Sequence, residues 1–155
     1  MKRFQALVLV ALLALMAVPA AAQDGFSIGP TAGILKITGE DTTFLRFGAS
    51  TRLSLFRLLA LRLDTHYMIL TGDEMTWADA SAGLELPILL GIYAKAQGGI
   101  MLPLGDKGGD PFPFVEAGVG FRLAGFFVEG AYSLLFDDGD SYSGIGTAAG
   151  FRFKL

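Results

Sequence analysis

His66 is the one histidine of the chain, and Asp64 stands two positions before it. On an extended strand that spacing puts both side chains on one face, where a carboxylate can orient an imidazole as a general base. Ser81 and Ser133 are the serines that a hydrolase or acyltransferase of this kind would call on. Neither sits in a recognisable nucleophile motif. Acidic residues also gather in short runs, of which Asp137-Asp138-Gly139-Asp140 is the densest. That run lacks the twelve-residue spacing and closing glutamate of a calcium loop, so its carboxylates either solvate a surface or meet cations weakly. No phosphate-cradling loop and no zinc spacing occurs, and neither metal nor cofactor is expected. With no cysteine there is no disulfide scaffold and no thiolate metal site.

The larger body of charge has a pattern of its own. Arg46 and Arg52 share a parity with Gly48 and Ser50, while Leu45, Phe47, Ala49, Leu53 and Leu55 take the other. Arg62, Asp64 and His66 oppose Leu61, Leu63 and Tyr67, and Asp79, Ser81 and Glu85 oppose Ala80, Ala82, Leu84 and Leu86. Further along, Glu116 and Arg122 oppose Val115, Ala117, Val119 and Phe121, and Arg152 and Lys154 oppose Phe151, Phe153 and Leu155. Lys95 with Gln97, and Glu129 with Ser133, follow the same rule against apolar neighbours. Successive side chains of a strand point to opposite faces, so each segment has one polar and one greasy side. Lys36 departs from the rule at a segment end, where a lysine can snorkel toward headgroups.

Eight such segments are predicted, from Phe26 to Lys36, Phe44 to Leu55, Leu58 to Leu70, Trp77 to Leu90, Ile92 to Leu104, Phe112 to Leu123, Phe126 to Phe136 and Tyr142 to Leu155. Gly, Asp, Pro or short apolar turns separate them. Pro30 and Pro87 fall inside segments, where the missing N–H points to bulges or rim positions. Glycines on the polar parity, Gly120 and Gly150 among them, leave room for long neighbours.

The chain has 155 residues, 52% of them hydrophobic, 21 glycines and a mean hydropathy of +0.52. Beyond the N-terminus no apolar run reaches the length of a spanning helix, so strands must carry the hydrophobicity. Residues 1–22 read as a cleaved signal peptide, with Lys2 and Arg3 before the apolar run from Ala6 to Val18 and small residues at Ala20-Ala21-Ala22. Its removal takes the formal charge from -3 to -5, which indicates no nucleic-acid surface. Residues 23–155 then form one domain: an all-β, eight-stranded antiparallel up-and-down transmembrane β-barrel. A soluble sandwich is the competing architecture, and it would turn the charged faces outward.

The connections alternate as well. Odd ones carry acid, at Gly39-Glu40-Asp41, Gly72-Asp73-Glu74, Gly105 to Asp110 and Asp137 to Asp140; even ones are short and apolar, at Phe56-Arg57, Leu90-Gly91 and Ala124-Gly125. Outer-membrane barrels keep tight turns on the periplasmic side and longer loops outside, which would put both chain ends in the periplasm. Aromatic residues fall near both rims, with Phe26, Phe121, Phe126 and Phe151 at one and Tyr67, Phe136 and Tyr142 at the other.

The segments Phe26-Ser27-Ile28-Gly29-Pro30-Thr31-Ala32-Gly33 and Leu84-Glu85-Leu86-Pro87-Ile88-Leu89-Leu90 resemble the small bacterial outer-membrane β-barrel domain proteins of the Bacteroidetes type. The resemblance implies a barrel in the bacterial outer membrane, in contact with its lipid and lipopolysaccharide, and no shared catalytic residues. Phe151, Phe153 and Leu155 look like the C-terminal signal read by the barrel-assembly machinery, with leucine in place of the more frequent final phenylalanine.

An eight-stranded barrel is wide enough only for side chains to fill it. Arg46, Arg52, Arg62, Asp64, His66, Asp79, Glu85, Lys95, Glu116, Arg122, Glu129 and Arg152 are therefore expected to form a salt-bridged lumen plug. The expected function is a noncatalytic structural or interaction barrel. The alternatives are a lipid A-modifying enzyme built on His66 and a narrow channel for small solutes.

Overall fold

The computed structural model describes residues 25–155 apart from 57, 72–74, 105–109, 138 and the Phe56 side chain. The expected signal peptide, residues 1–22, lies outside the described residues. The strands are β1 (Phe26–Ile37), β2 (Thr43–Phe56), β3 (Leu59–Leu70), β4 (Thr76–Leu89), β5 (Ile92–Leu104), β6 (Phe112–Leu123), β7 (Phe126–Asp137), β8 (Asp140–Phe151) and β9 (Phe153–Lys154). Each pairs antiparallel with its sequence neighbour from β1 to β8, and β1 pairs with both β2 and β8. The sheet therefore closes into an eight-stranded barrel, with β9 continuing the last strand along β1. Closure leaves no open edge, the condition for strands to cross hydrocarbon with their backbone groups satisfied.

Alternation decides the two faces. On β3, Arg62, Asp64, His66 and Met68 are buried while Thr65, Tyr67 and Ile69 are exposed. Phe47, Leu84, Leu86, Val119, Val128 and Ile145 are likewise exposed on the outer wall, and Arg46, Glu85, Lys95, Glu116 and Glu129 are buried inside it. An apolar surface that encircles a molecule is a surface for lipid. This inside-out arrangement removes the soluble sandwich. Lys36 is exposed near the end of β1 on the outer parity, where its amine can reach headgroups.

One end of the barrel, here the turn end, holds Gly25, Lys154 and the tight connections. Leu90 and Gly91 join β4 to β5, and Ala124 and Gly125 join β6 to β7. All four have positive φ, at 48° and 86° and at 48° and 91°, the backbone of the hairpin turn whose twist suits paired strands. The opposite, loop end carries the acidic connections. There the expectation of longer loops fails once: β7 and β8 are joined by residues 138–139 alone, with Asp137 paired to Asp140 and Gly139 at φ 93°. Asp-Gly is itself a two-residue hairpin signal, which outweighs the acidity of the run.

Pro30 and Pro87 mark irregularities. The β4–β5 register shifts between Pro87 and Leu89. Pro30 lies between the β1–β8 ladder, which begins at Thr31–Gly150, and the β1–β9 pair Ile28–Phe153. The seam is broken there at Arg152, so the predicted final strand, Tyr142 to Leu155, is two pieces. Of the aromatics, Phe126, Phe151 and Phe153 stack edge to face at the turn end, with centroids 4.5 and 4.6 Å apart, whereas Phe26 is buried and adds nothing to a girdle.

Candidate functional site: the barrel lumen

Three glutamates organise the interior, one above another from the turn end. Glu85 on β4 lies lowest. Its Oε1 accepts from Arg52 Nε at 2.7 Å and Arg122 Nη1 at 2.6 Å, and its Oε2 from Arg152 Nη1 at 3.1 Å. One carboxylate thus gathers guanidiniums from β2, β6 and the β8–β9 junction. Two of the three are tied by their backbones to the tight turns: Arg122 N–H donates to Gly91 O at 2.8 Å and Arg152 N–H to Gly125 O at 2.9 Å. A Cβ on Gly91 would stand 2.3 Å from the Arg122 carbonyl oxygen, so the glycine is needed for space as well as for its positive φ.

Glu129 on β7 is the middle hub. Arg62 grips it with two nitrogens at 2.6 and 2.8 Å, Lys95 Nζ donates at 2.6 Å and Tyr93 Oη at 2.8 Å. Forked pairing of this kind is the strongest form of carboxylate recognition. Arg62 also donates to Asp64 at 2.7 Å, and Asp64 accepts from Ser50 at 2.5 Å. Phe127 packs between cations, with Arg152 4.4 Å and Arg62 5.6 Å from its ring centroid.

Glu116 on β6 is the upper hub, accepting from Lys95 at 2.6 Å, Ser133 at 3.0 Å, and Arg46 and Gln97 at 3.3 Å. Arg46 also donates to Asp79 at 2.8 Å, and His66 Nδ1 lies 2.7 Å from Asp79 Oδ1. All twelve residues singled out in the sequence thus meet inside one network. Among the described residues only Arg46 Nε and Gln97 Oε1 are buried side-chain atoms without a partner. Buried ion pairs add little net stability, but a network this complete leaves few polar groups stranded.

The partner of His66 is Asp79, directly across on β4, and not Asp64, which faces Arg62 and Ser50. Ser81 is held by Gln97 and Ser133 by Glu116, so neither serine presents a nucleophile to His66. The imidazole is buried in the lumen rather than set at a lipid-facing rim.

Above the network comes a layer that charge counting missed. Leu35, Ile37, Phe44, Met68, Met101, Phe114 and Leu135 form a buried apolar cluster, with Leu70, Trp77 and Phe112 against it. All lie toward the loop end on the inward parity, which on β2 to β7 is also that of the charges. That parity was the available signal. Two of the inward glycines make room for aromatic rings rather than for charged side chains: a Cβ at Gly120 would lie 2.4 Å from the Tyr93 ring, and one at Gly150 2.6 Å from the Phe127 ring.

This architecture is that of the eight-stranded transmembrane β-barrels. A designed transmembrane β-barrel superposes with a TM-score of 0.64 at 12% identity, covering 86% of this chain and 99% of its own. Neisserial surface protein A gives 0.61 at 14%, covering 85% and 98%. The Yersinia pestis outer membrane protein Ail gives 0.59 at 14%, covering 84% and 100%. At such identities the likeness is one of fold. No family model matches the chain, and no curated protein matches it in sequence.

Proposed function

We propose that this chain is an integral barrel of the bacterial outer membrane whose lumen is a plug, and whose role is structural or interactive rather than catalytic or conductive. The carrying observation is that inward side chains at successive levels, Glu85, Arg62 and Tyr93 below and Met68 and Met101 above, are almost wholly inaccessible. A water-filled pore would expose them. The wall supplies anchoring in lipid and lipopolysaccharide, the C-terminal segment serves the barrel-assembly machinery, and the chain ends face the periplasm after loss of the signal peptide. The fold likeness to Ail supports the outer-membrane setting. Membership of the Bacteroidetes-type barrel-domain family rests on the two segments that resemble it. The test is planar-bilayer recording of the refolded protein: a silent membrane at all voltages is expected, and discrete conductance steps would refute the plug.

A further inference from the structure

Charge is distributed unevenly along the lumen. Above Glu85, the carboxylates of Asp64, Asp79, Glu116 and Glu129 meet Arg46, Arg62 and Lys95, with His66 among them, which is close to balance. At the turn end Arg52, Arg122, Arg152 and Lys154 converge on one side of the barrel mouth, and Glu85 is the one acid paired there among the described residues.

These residues line an open cavity of about 290 Å³, with Ser27 and Ser54 in its wall. That volume sits at the small end of the ligand-pocket range and suits a compact ion. Donors remain to be used. Arg152 spends its nitrogens on Glu85 and Ser50. Arg122, in contrast, engages Glu85 through Nη1 alone, and its side chain is 26% exposed. Lys154 is exposed on β9, and the ion pairs of the described residues at this mouth are those of Arg52, Arg122 and Arg152 with Glu85. Excess positive charge in a partly desolvated recess draws a counter-anion, and guanidiniums set in a fork match tetrahedral oxyanions.

We propose that the turn-end mouth is a binding site for a phosphate-class oxyanion, held by Arg122, Lys154 and Arg52 Nη2, whose Nε and Nη1 are given to Glu85 and Ser54, over the Glu85–Arg152 floor. The phosphate can come from free solution or from the headgroup of an anionic phospholipid at that rim. Glu85 keeps the arginines from repelling one another, and the anion completes the neutralisation that Glu85 alone leaves unfinished.

The test is amide NMR of the refolded full chain in a non-ionic detergent, titrated with sodium phosphate and separately with dihexanoylphosphatidylglycerol. Saturable shifts at Arg122, Arg152 and Lys154 are expected. Shifts with phosphate assign the free ion; shifts with the lipid alone assign the headgroup. Lys154→Gln, at an exposed position that removes no internal contact, should weaken binding about tenfold, the loss of roughly one charge-assisted hydrogen bond. Arg122→Gln should do the same. Absence of saturation with both probes, or equal binding by wild type and both variants, overturns the site.

Discussion

The two ends of the lumen are built from the same inward parity and have opposite characters. Toward the loops the interior closes with Met68, Met101, Phe114 and Leu135, a dry layer without charge. Toward the turns it opens onto Arg52, Arg122 and Lys154, with cations outnumbering acid. Between them the ion pairs are buried and shared. The contrast shows how a barrel whose interior is filled by side chains can still be polarised, with an apolar layer at one end and an open, cationic recess at the other. It also explains the order of the hubs. Glu116 lies under the apolar layer, beyond the reach of solvent, and is held by Lys95, Arg46 and Ser133, whereas Glu85 gathers guanidiniums that partly face solvent.

Substitutions chosen along this axis should grade in their cost. Glu85→Gln removes the charge that three arginines share, leaving the buried Arg152 and the partly open Arg52 and Arg122 without their carboxylate. The expected loss is about 3–5 kcal/mol, read as a lowered urea midpoint in lipid vesicles. Met68→Ala in the dry layer should cost about 2–4 kcal/mol by opening a cavity. It should leave bilayers silent so long as the ion pairs below hold, and conductance appearing in this variant would locate the seal in the apolar layer alone. Gly120→Ala presses a methyl on the Tyr93 ring and should cost about 1–3 kcal/mol. A parallel loss of signal from the Tyr93 hydroxyl to Glu129 would show that the ring has moved. Arg122→Gln comes last, under about 1 kcal/mol in the same urea assay, because its pair is partly open to solvent. A large loss there would erase the distinction between the two ends.

Much of this is legible in the sequence. Period-2 placement of Arg46, Asp64, Glu85 and Glu116 carried the inside-out barrel, because a charged face in hydrocarbon is too costly to occur by default. Tight turns at Leu90-Gly91 and Ala124-Gly125 were legible for the same local reason. What stayed hidden depends on relations across the lumen. That Glu85 meets arginines from β2, β6 and the β8–β9 junction follows from barrel closure and strand tilt, which no single segment reports. His66 was paired with Asp64 by spacing along its own strand, while cross-strand register gave it Asp79. The apolar layer escaped because leucines and methionines on a membrane barrel are readily assigned to the lipid face; Leu135, Met68 and Met101 share the parity of the charges on their strands and belong inside.

The central claim is that alternate residues of each strand face lipid and an enclosed interior. Proton NMR of the protein in bilayer discs tests it through contacts between acyl chains and alanine methyls. The arrangement predicts cross-peaks from lipid to Ala82, Ala96, Ala117 and Ala149 on the outer wall, and none to Ala60, Ala131 and Ala148. Lipid contacts to the second set, with the first set silent, would contradict it.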